Sequence, residues 1–200
     1  FFTQIFNFTR NREKYLFFDT ETNGLPRSNT APARLVNWWP RMVQIAWLLF
    51  DDKGNEIDGN CYIIRPVGYE IPQAATKIHQ ITTTEALREG EDLQVVLESF
   101  AAFVDRADVL VAHNINFDEK VVGAEFIRNG MPNTIEAKRK LCTMEASTDY
   151  CQLPNKFSGY KWPKLSELHT HLFGVDFEGA HDALADIRAT ARCFWRMREL

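Results

Sequence analysis

The stretch that decides the fold is Lys14-Tyr15-Leu16-Phe17-Phe18-Asp19-Thr20-Glu21-Thr22-Asn23-Gly24-Leu25-Pro26. It opens as an unbroken apolar run and ends in polar residues. An apolar run without alternation suits a strand buried on both faces, so a central strand is predicted over residues 14–20. Asn23-Gly24-Leu25-Pro26 carries turn chemistry. Side chains alternate faces along a strand, which points Asp19 and Glu21 the same way, about 7 Å apart. Two carboxylates so placed repel unless a cation lies between them. Oxygen-rich carboxylate clusters suit Mg²⁺ or Mn²⁺. The same D-x-E also reads as strand-end polar residues in solvent.

Working outward, residues 43–51 and 57–65 read as strands joined by the hairpin turn Asp52-Lys53-Gly54-Asn55. Residues 27–40, rich in Pro, Asn and Ser, form a long loop. A short helix fits residues 74–79, and Thr82-Thr83-Thr84-Glu85 offers helix-capping chemistry. Leu93, Val96, Leu97, Phe100 and Val104 recur at helical spacing. Residues 109–112 form a short buried strand, and a helix over 119–128 closes at Asn129-Gly130. A fifth strand is expected at 140–144 and a second long loop at 149–163. Helices follow at 165–173, stopped by Gly174, and at 183–199. Hairpin strands first, then strands alternating with helices, imply an α/β fold: a mixed sheet with helices packed on it. The 200 residues suit one domain, 1–200, with long loops at about 26–41 and 149–163.

Two further clusters join Asp19 and Glu21. His113-Asn114-Ile115-Asn116-Phe117-Asp118 follows the 109–112 strand, putting Asp118 at a strand-to-helix junction, where ligand sites of open α/β sheets gather. Asp118 reads equally well as a helix N-cap. His181-Asp182-Ala183-Leu184-Ala185-Asp186 opens the last helix, with Asp182 as its N-cap. A helix N-terminus disfavours protonated imidazole, so His181 suits a base near neutral pH.

Together these clusters resemble the DnaQ-like (DEDDh) 3′–5′ exonuclease family. Its pattern is D-x-E, then N-x-x-F-D, then H-x(4)-D. Here it is met by Asp19 and Glu21, by Asn114 with Asp118, and by His181 with Asp186, spanning residues 15–190. Position 182 is Asp rather than Tyr, which places the chain with the His branch. Residue 23 is Asn where the family usually has Thr, and the loop over 27–41 is longer than in a minimal proofreading subunit. The resemblance implies an RNase H-like five-stranded mixed sheet with one antiparallel strand. It implies two Mg²⁺ or Mn²⁺ ions held by Asp19, Glu21, Asp118 and Asp186, with His181 taking the proton from the attacking water. It further implies contacts to the terminal nucleotide from Thr22, Leu25 and His79, with Asn114 and Phe117 shaping the pocket. His79 and Phe117 also read as packing residues. The implied substrate is the 3′ end of single-stranded or frayed DNA, with a DNA polymerase as partner. Three rivals remain: an RNA-trimming enzyme, a silent nucleic-acid or polymerase-binding module, and a phosphodiesterase acting on small nucleotides.

Composition sets limits. With 27 acidic and 23 basic residues the net charge is −4, which excludes a histone-like mode of nucleic-acid binding. Cys61, Cys142, Cys151 and Cys193 form no CxxC, so a disulfide framework or zinc ribbon is not expected. Reduced thiols in a cytoplasmic protein fit better. No apolar run approaches the ~20 residues of a membrane span. Phe1 to Phe6 is apolar but short, and without an initiator Met the start reads as a trimmed terminus. Trp38-Trp39, Tyr160 and Trp162 lie in the two long loops, near Arg34, Arg41, Lys156, Lys161 and Lys164. They suit either base stacking or, more simply, packing of one loop on the other. Arg188, Arg192, Arg196 and Arg198 are expected on the exposed face of the last helix.

Overall fold

The computed structural model describes residues 12–200, so the Phe1 to Phe6 segment lies outside the described residues. The sheet has five strands. In chain order they are β1 (Tyr15–Thr22), β2 (Met42–Phe50), β3 (Glu56–Ile63), β4 (Val109–Ala112) and β5 (Arg139–Cys142). Their spatial order is β3-β2-β1-β4-β5. β2 runs antiparallel to β1 and β3, whereas β1, β4 and β5 run parallel. The mixed sheet with one antiparallel strand therefore stands as expected.

Seven α-helices accompany it among the described residues. They are α1 (Gln73–His79), α2 (Thr83–Glu89), α3 (Leu93–Arg106), α4 (Ile115–Arg128), α5 (Thr143–Cys151), α6 (Leu165–Phe173) and α7 (Ala183–Arg198). None is long and apolar enough to cross a membrane. The alternation of β1 builds both cores. Leu16 and Phe18 face α3 and α4, with Phe100 5.5 Å from Phe18 and Trp47 closing the layer. Tyr15 and Phe17 face α7, where Phe194 meets Phe17 edge-on at 5.2 Å. Such aromatic pairs add to the burial term and fix how each helix lies on the sheet.

Several expectations shift. α4 begins at Ile115 rather than 119, so Asp118 sits in its first turn and is not its N-cap; Asn114 is. β5 ends at Cys142, and the residues after it form α5, which carries the chain to Cys151. The second loop is therefore shorter than expected. The Thr143 hydroxyl lies against the Ala112 carbonyl, and the Ser147 hydroxyl donates to the Thr143 carbonyl, so polar side chains on the buried face are satisfied where apolar periodicity gave no signal. Within the 27–41 loop, Val36–Trp38 form a 3₁₀ turn. Trp39 is buried with its ring 6.2 Å from Phe117, so this residue of the loop packs on α4. The loop is fastened by Glu125, whose Oε1 accepts from Arg41 Nε at 2.9 Å and from the Met42 N–H at 3.0 Å. Arg192 and Arg198 stack on aromatic rings, over Phe173 at 4.0 Å and Trp195 at 5.0 Å, rather than forming a plain solvated face.

Candidate active site

Asp19 and Glu21 occupy the C-terminal half of the central strand, on the face that α7 covers. Asp186 lies in the first turn of α7. One ligand atom each from Glu21, His181 and Asp186 falls within 4.8 Å of the others. Asp118 arrives from α4 on the opposite face. Its Oδ1 accepts from the Thr20 hydroxyl at 2.7 Å and from the Thr20 N–H at 3.0 Å. Thr20 thus hands Asp118 to the strand position between the other two carboxylates. Two non-glycine residues in the left-handed region border the site, Asn114 (φ 71°) and His181 (φ 70°). Such backbone costs of order 1 kcal/mol or more and tends to gather at functional sites.

The start of α7 is held from β2. Gln44, buried in an otherwise apolar strand, donates from Nε2 to Asp182 at 3.2 Å and accepts the Ala183 N–H at 3.1 Å. Asp182 caps α7 by accepting the Ala185 N–H at 3.0 Å, as expected. The His181 N–H points at the Asp186 carboxylate, 3.3 Å from Oδ2. Neither Thr20 nor Gln44 was singled out from the sequence. The available signal was a polar residue on the buried face of a strand, which must find a partner.

Electrostatics make the cluster a demand for positive charge. Burial, then Asp118, Asp186 and Glu21, push the Asp19 carboxyl well above the usual carboxylate range. Burial, then Asp186 and Asp118, push Glu21 up to about 8. Burial raises Asp118 to about 7 against the lowering effect of the Thr20 hydrogen bonds. Burial raises Asp186 to about 6 against its contacts with His181. No Lys or Arg among the described residues forms an ion pair with any of the four. Close carboxylates without cationic side chains are a hard-oxygen donor set, which fits divalent cations.

Beside Glu21 lies an apolar cleft of about 350 Å³, lined by Thr22, Leu25, Ile78, His79 and Phe117 among others. Leu25 stands 88% exposed at its mouth. His79 is buried, with Nδ1 accepting the Ile81 N–H at 3.1 Å, and burial pushes its pKa down. The neutral ring then carries its proton on Nε2, with the Thr22 backbone as its nearby acceptor. Four of the five expected substrate contacts meet here. Asn114 does not; it is the N-cap residue of α4, its carbonyl accepting the Phe117 N–H at 2.9 Å. Ile78, which the sequence reading passed over, joins the lining.

Residues 16–194 match a family model described as Exonuclease (RNase_T). The PolC-type DNA polymerase III of Streptococcus suis (strain 98HAH33) is 33% identical over 178 residues, covering 89% of this chain and 11% of the polymerase. The uncharacterized exonuclease CP81 of Escherichia phage 186 is 29% identical over 182 residues, covering 88% of this chain and 83% of the phage protein. The chain thus spans only a small part of its polymerase relatives. Among solved structures, E. coli exonuclease I in complex with a dT13 oligonucleotide gives a TM-score of 0.72 at 23% identity, covering 94% of this chain and 41% of that one. The similarity is one of fold, which is RNase H-like.

Proposed function

The chain belongs to the exonuclease family matched by residues 16–194, with the DnaQ-like order of carboxylates, and on that premise we propose a metal-dependent 3′–5′ exonuclease acting on DNA. It releases nucleoside 5′-monophosphates from single-stranded or frayed 3′ ends. The observation that carries this reading is the convergence of Asp19, Glu21, Asp118 and Asp186, from three elements, on one cation-poor spot beside a base-sized cleft.

Asp19, Glu21, Asp118 and Asp186 would hold the divalent ions, Mg²⁺ or Mn²⁺, which when bound neutralise the phosphate and the charge growing on the leaving oxygen. Leu25 wedges beside the terminal base, while Ile78 and Phe117 bury its faces. His79, beside the Thr22 backbone, forms part of the wall against the terminal nucleotide. His181 stands exposed next to Asp186, where a ring nitrogen takes the proton of the attacking water. The water oxygen bonds to phosphorus, the P–O3′ bond breaks, and the freed 3′ oxygen takes a proton from solvent. The backbone around Thr22 contacts the terminal nucleotide, and Asn114 acts at one remove by starting the helix that carries Phe117 and Asp118.

The one continuous sheet supports a single catalytic domain over 1–200. The PolC-type relatives support work alongside a DNA polymerase. Free cysteines, three of them buried, support a reducing, cytoplasmic setting.

The test is digestion of 5′-labelled DNA and RNA strands with Mg²⁺ or Mn²⁺. A descending ladder from the 3′ end of DNA, lost in Asp19→Ala and with EDTA, is expected. A ladder on RNA alone assigns the RNA-trimming alternative, and no ladder on either strand sinks the enzyme reading.

A further inference from the structure

The segment between α5 and α6 is an ordered finger. The Lys161 N–H donates to the Leu153 carbonyl at 2.9 Å, and the Asn155 N–H to Gly159 at 3.3 Å. Pro154 and Tyr160 pair as an antiparallel bridge, and Gly159 turns the chain at φ 69°. This backbone holds aromatic side chains out of the core: Phe157 is 96% exposed, Trp162 63% and Tyr160 43%. Between residues 153 and 164 stand three lysines, Lys156, Lys161 and Lys164, and no acidic residue, in a chain whose net charge is −4. Lys161 pairs with Glu167 of α6, and Lys164 adds to the positive field on that carboxylate, while Lys156 forms no ion pair among the described residues.

The finger is rooted at the active-site end of the sheet. His113 follows β4 directly; its Nε2 lies 3.0 Å from the Pro163 carbonyl and its Nδ1 3.0 Å from the Thr143 hydroxyl. β4 runs parallel to β1, with Val111 opposite Phe17, so His113 stands level with the catalytic end of β1. The α1 wall of the cleft lies on the other side, because its Ala75 shares a buried cluster with Val43 of β2, while Phe117 of α4 closes the cleft opposite. With strand order β3-β2-β1-β4-β5, the α1 wall of the cleft lies on the β2 side of β1 and the root of the finger on the β4 side.

We propose that the finger is a stacking platform for single-stranded nucleotides upstream of the scissile phosphate, resting on the exonuclease reading above. A strand whose terminal base fills the cleft and whose scissile phosphate lies at the carboxylates continues past the end of β4, where the finger that carries Phe157 and Trp162 is rooted. Stacking on aromatic faces tolerates any base. Lys156 and Lys164 meet the phosphates between the stacked bases, a salt-dependent contact. An acid-free, lysine-interleaved aromatic cluster complements a polyanion better than it does an apolar protein surface.

The experiment compares kcat/KM on dT12 with that on the p-nitrophenyl ester of thymidine 5′-monophosphate, which fills the cleft alone. In Phe157→Ala/Trp162→Ala the ratio of the first to the second falls roughly tenfold or more, the size expected for lost base stacking. Phe157→Tyr/Trp162→Phe restores it. Lys156→Ala/Lys164→Ala flattens its salt dependence. Melting temperature confirms folding. Equal loss on both substrates, or an unchanged ratio, overturns the platform and leaves the aromatics to a protein partner. A wild type inactive on both sinks the exonuclease reading instead. The platform is then judged by anisotropy of fluorescein-labelled dT12 in EDTA at low salt, where the double alanine variant binds roughly tenfold more weakly and unchanged binding overturns it.

Discussion

Glu21 keeps its proton up to about pH 8, Asp118 to about 7 and Asp186 to about 6, because burial and neighbouring carboxylates disfavour their charged forms. In the unfolded chain these groups ionise near their ordinary values of 4.5 and 3.8. Between those values the folded state binds more protons, so its stability falls as pH rises from about 4 to about 8. The metal-free protein should therefore melt several degrees lower at pH 8 than at pH 5. Mg²⁺ or Mn²⁺ should restore melting at pH 8 and do little at pH 5, and Glu21→Gln should flatten the slope. Calorimetric scans in EDTA and in Mg²⁺ check this; a flat profile in EDTA would refute it. Thr20 makes a second case. Thr20→Val keeps the shape but removes the 2.7 Å bond to Asp118. A hydrogen bond to a charged group is worth about 1.5–3 kcal/mol, so turnover should fall roughly ten- to hundredfold with Mg²⁺ saturating. Full turnover in this variant would remove Thr20 from the positioning role.

At the scale of elements, α7 carries Asp186 and is preceded by His181, but its position is set from β2. Gln44→Leu strands the buried Ala183 N–H and removes one donor from Asp182, costing about 1–3 kcal/mol. Melting temperature should drop by several degrees. Mn²⁺ affinity, read by titration calorimetry, should weaken, because the first turn of α7 loses its tether; unchanged affinity would separate the tether from the site. The strands β1 to β4 were legible because apolar runs and a turn-rich hairpin are local signals. α5 was not, because its buried face sets only Met144 and Cys151 beside Thr143 and Ser147, whose hydroxyls are paired within the fold. The start of α4 was misplaced because Asn114, at φ 71°, begins the helix from a left-handed residue rather than through a side-chain cap.

For the whole molecule, a net charge of −4 opposes binding of a polyanion until cations occupy the carboxylate cluster. DNA binding should therefore be metal-gated. On a His181→Ala background, dT12 should bind roughly tenfold more tightly in Mg²⁺ than in EDTA at equal ionic strength, as measured by anisotropy. Equal affinity would detach the charge balance from the site. By itself the sequence determined the buried central strand, the placing of Asp19 and Glu21 on one face, and the spacing that sets His181 and Asp186 around the first turn of α7. Each follows from the period of a strand or helix, which is a short-range constraint. Only the tertiary structure decided that Thr20 holds Asp118 from 98 residues away and that Gln44 holds Asp182 from 138 away. It likewise decided that Leu25, His79 and Phe117 line one cleft while Asn114 does not. Periodicity says which way a side chain points; which elements then meet depends on strand order and helix packing between distant segments, and no local pattern encodes that.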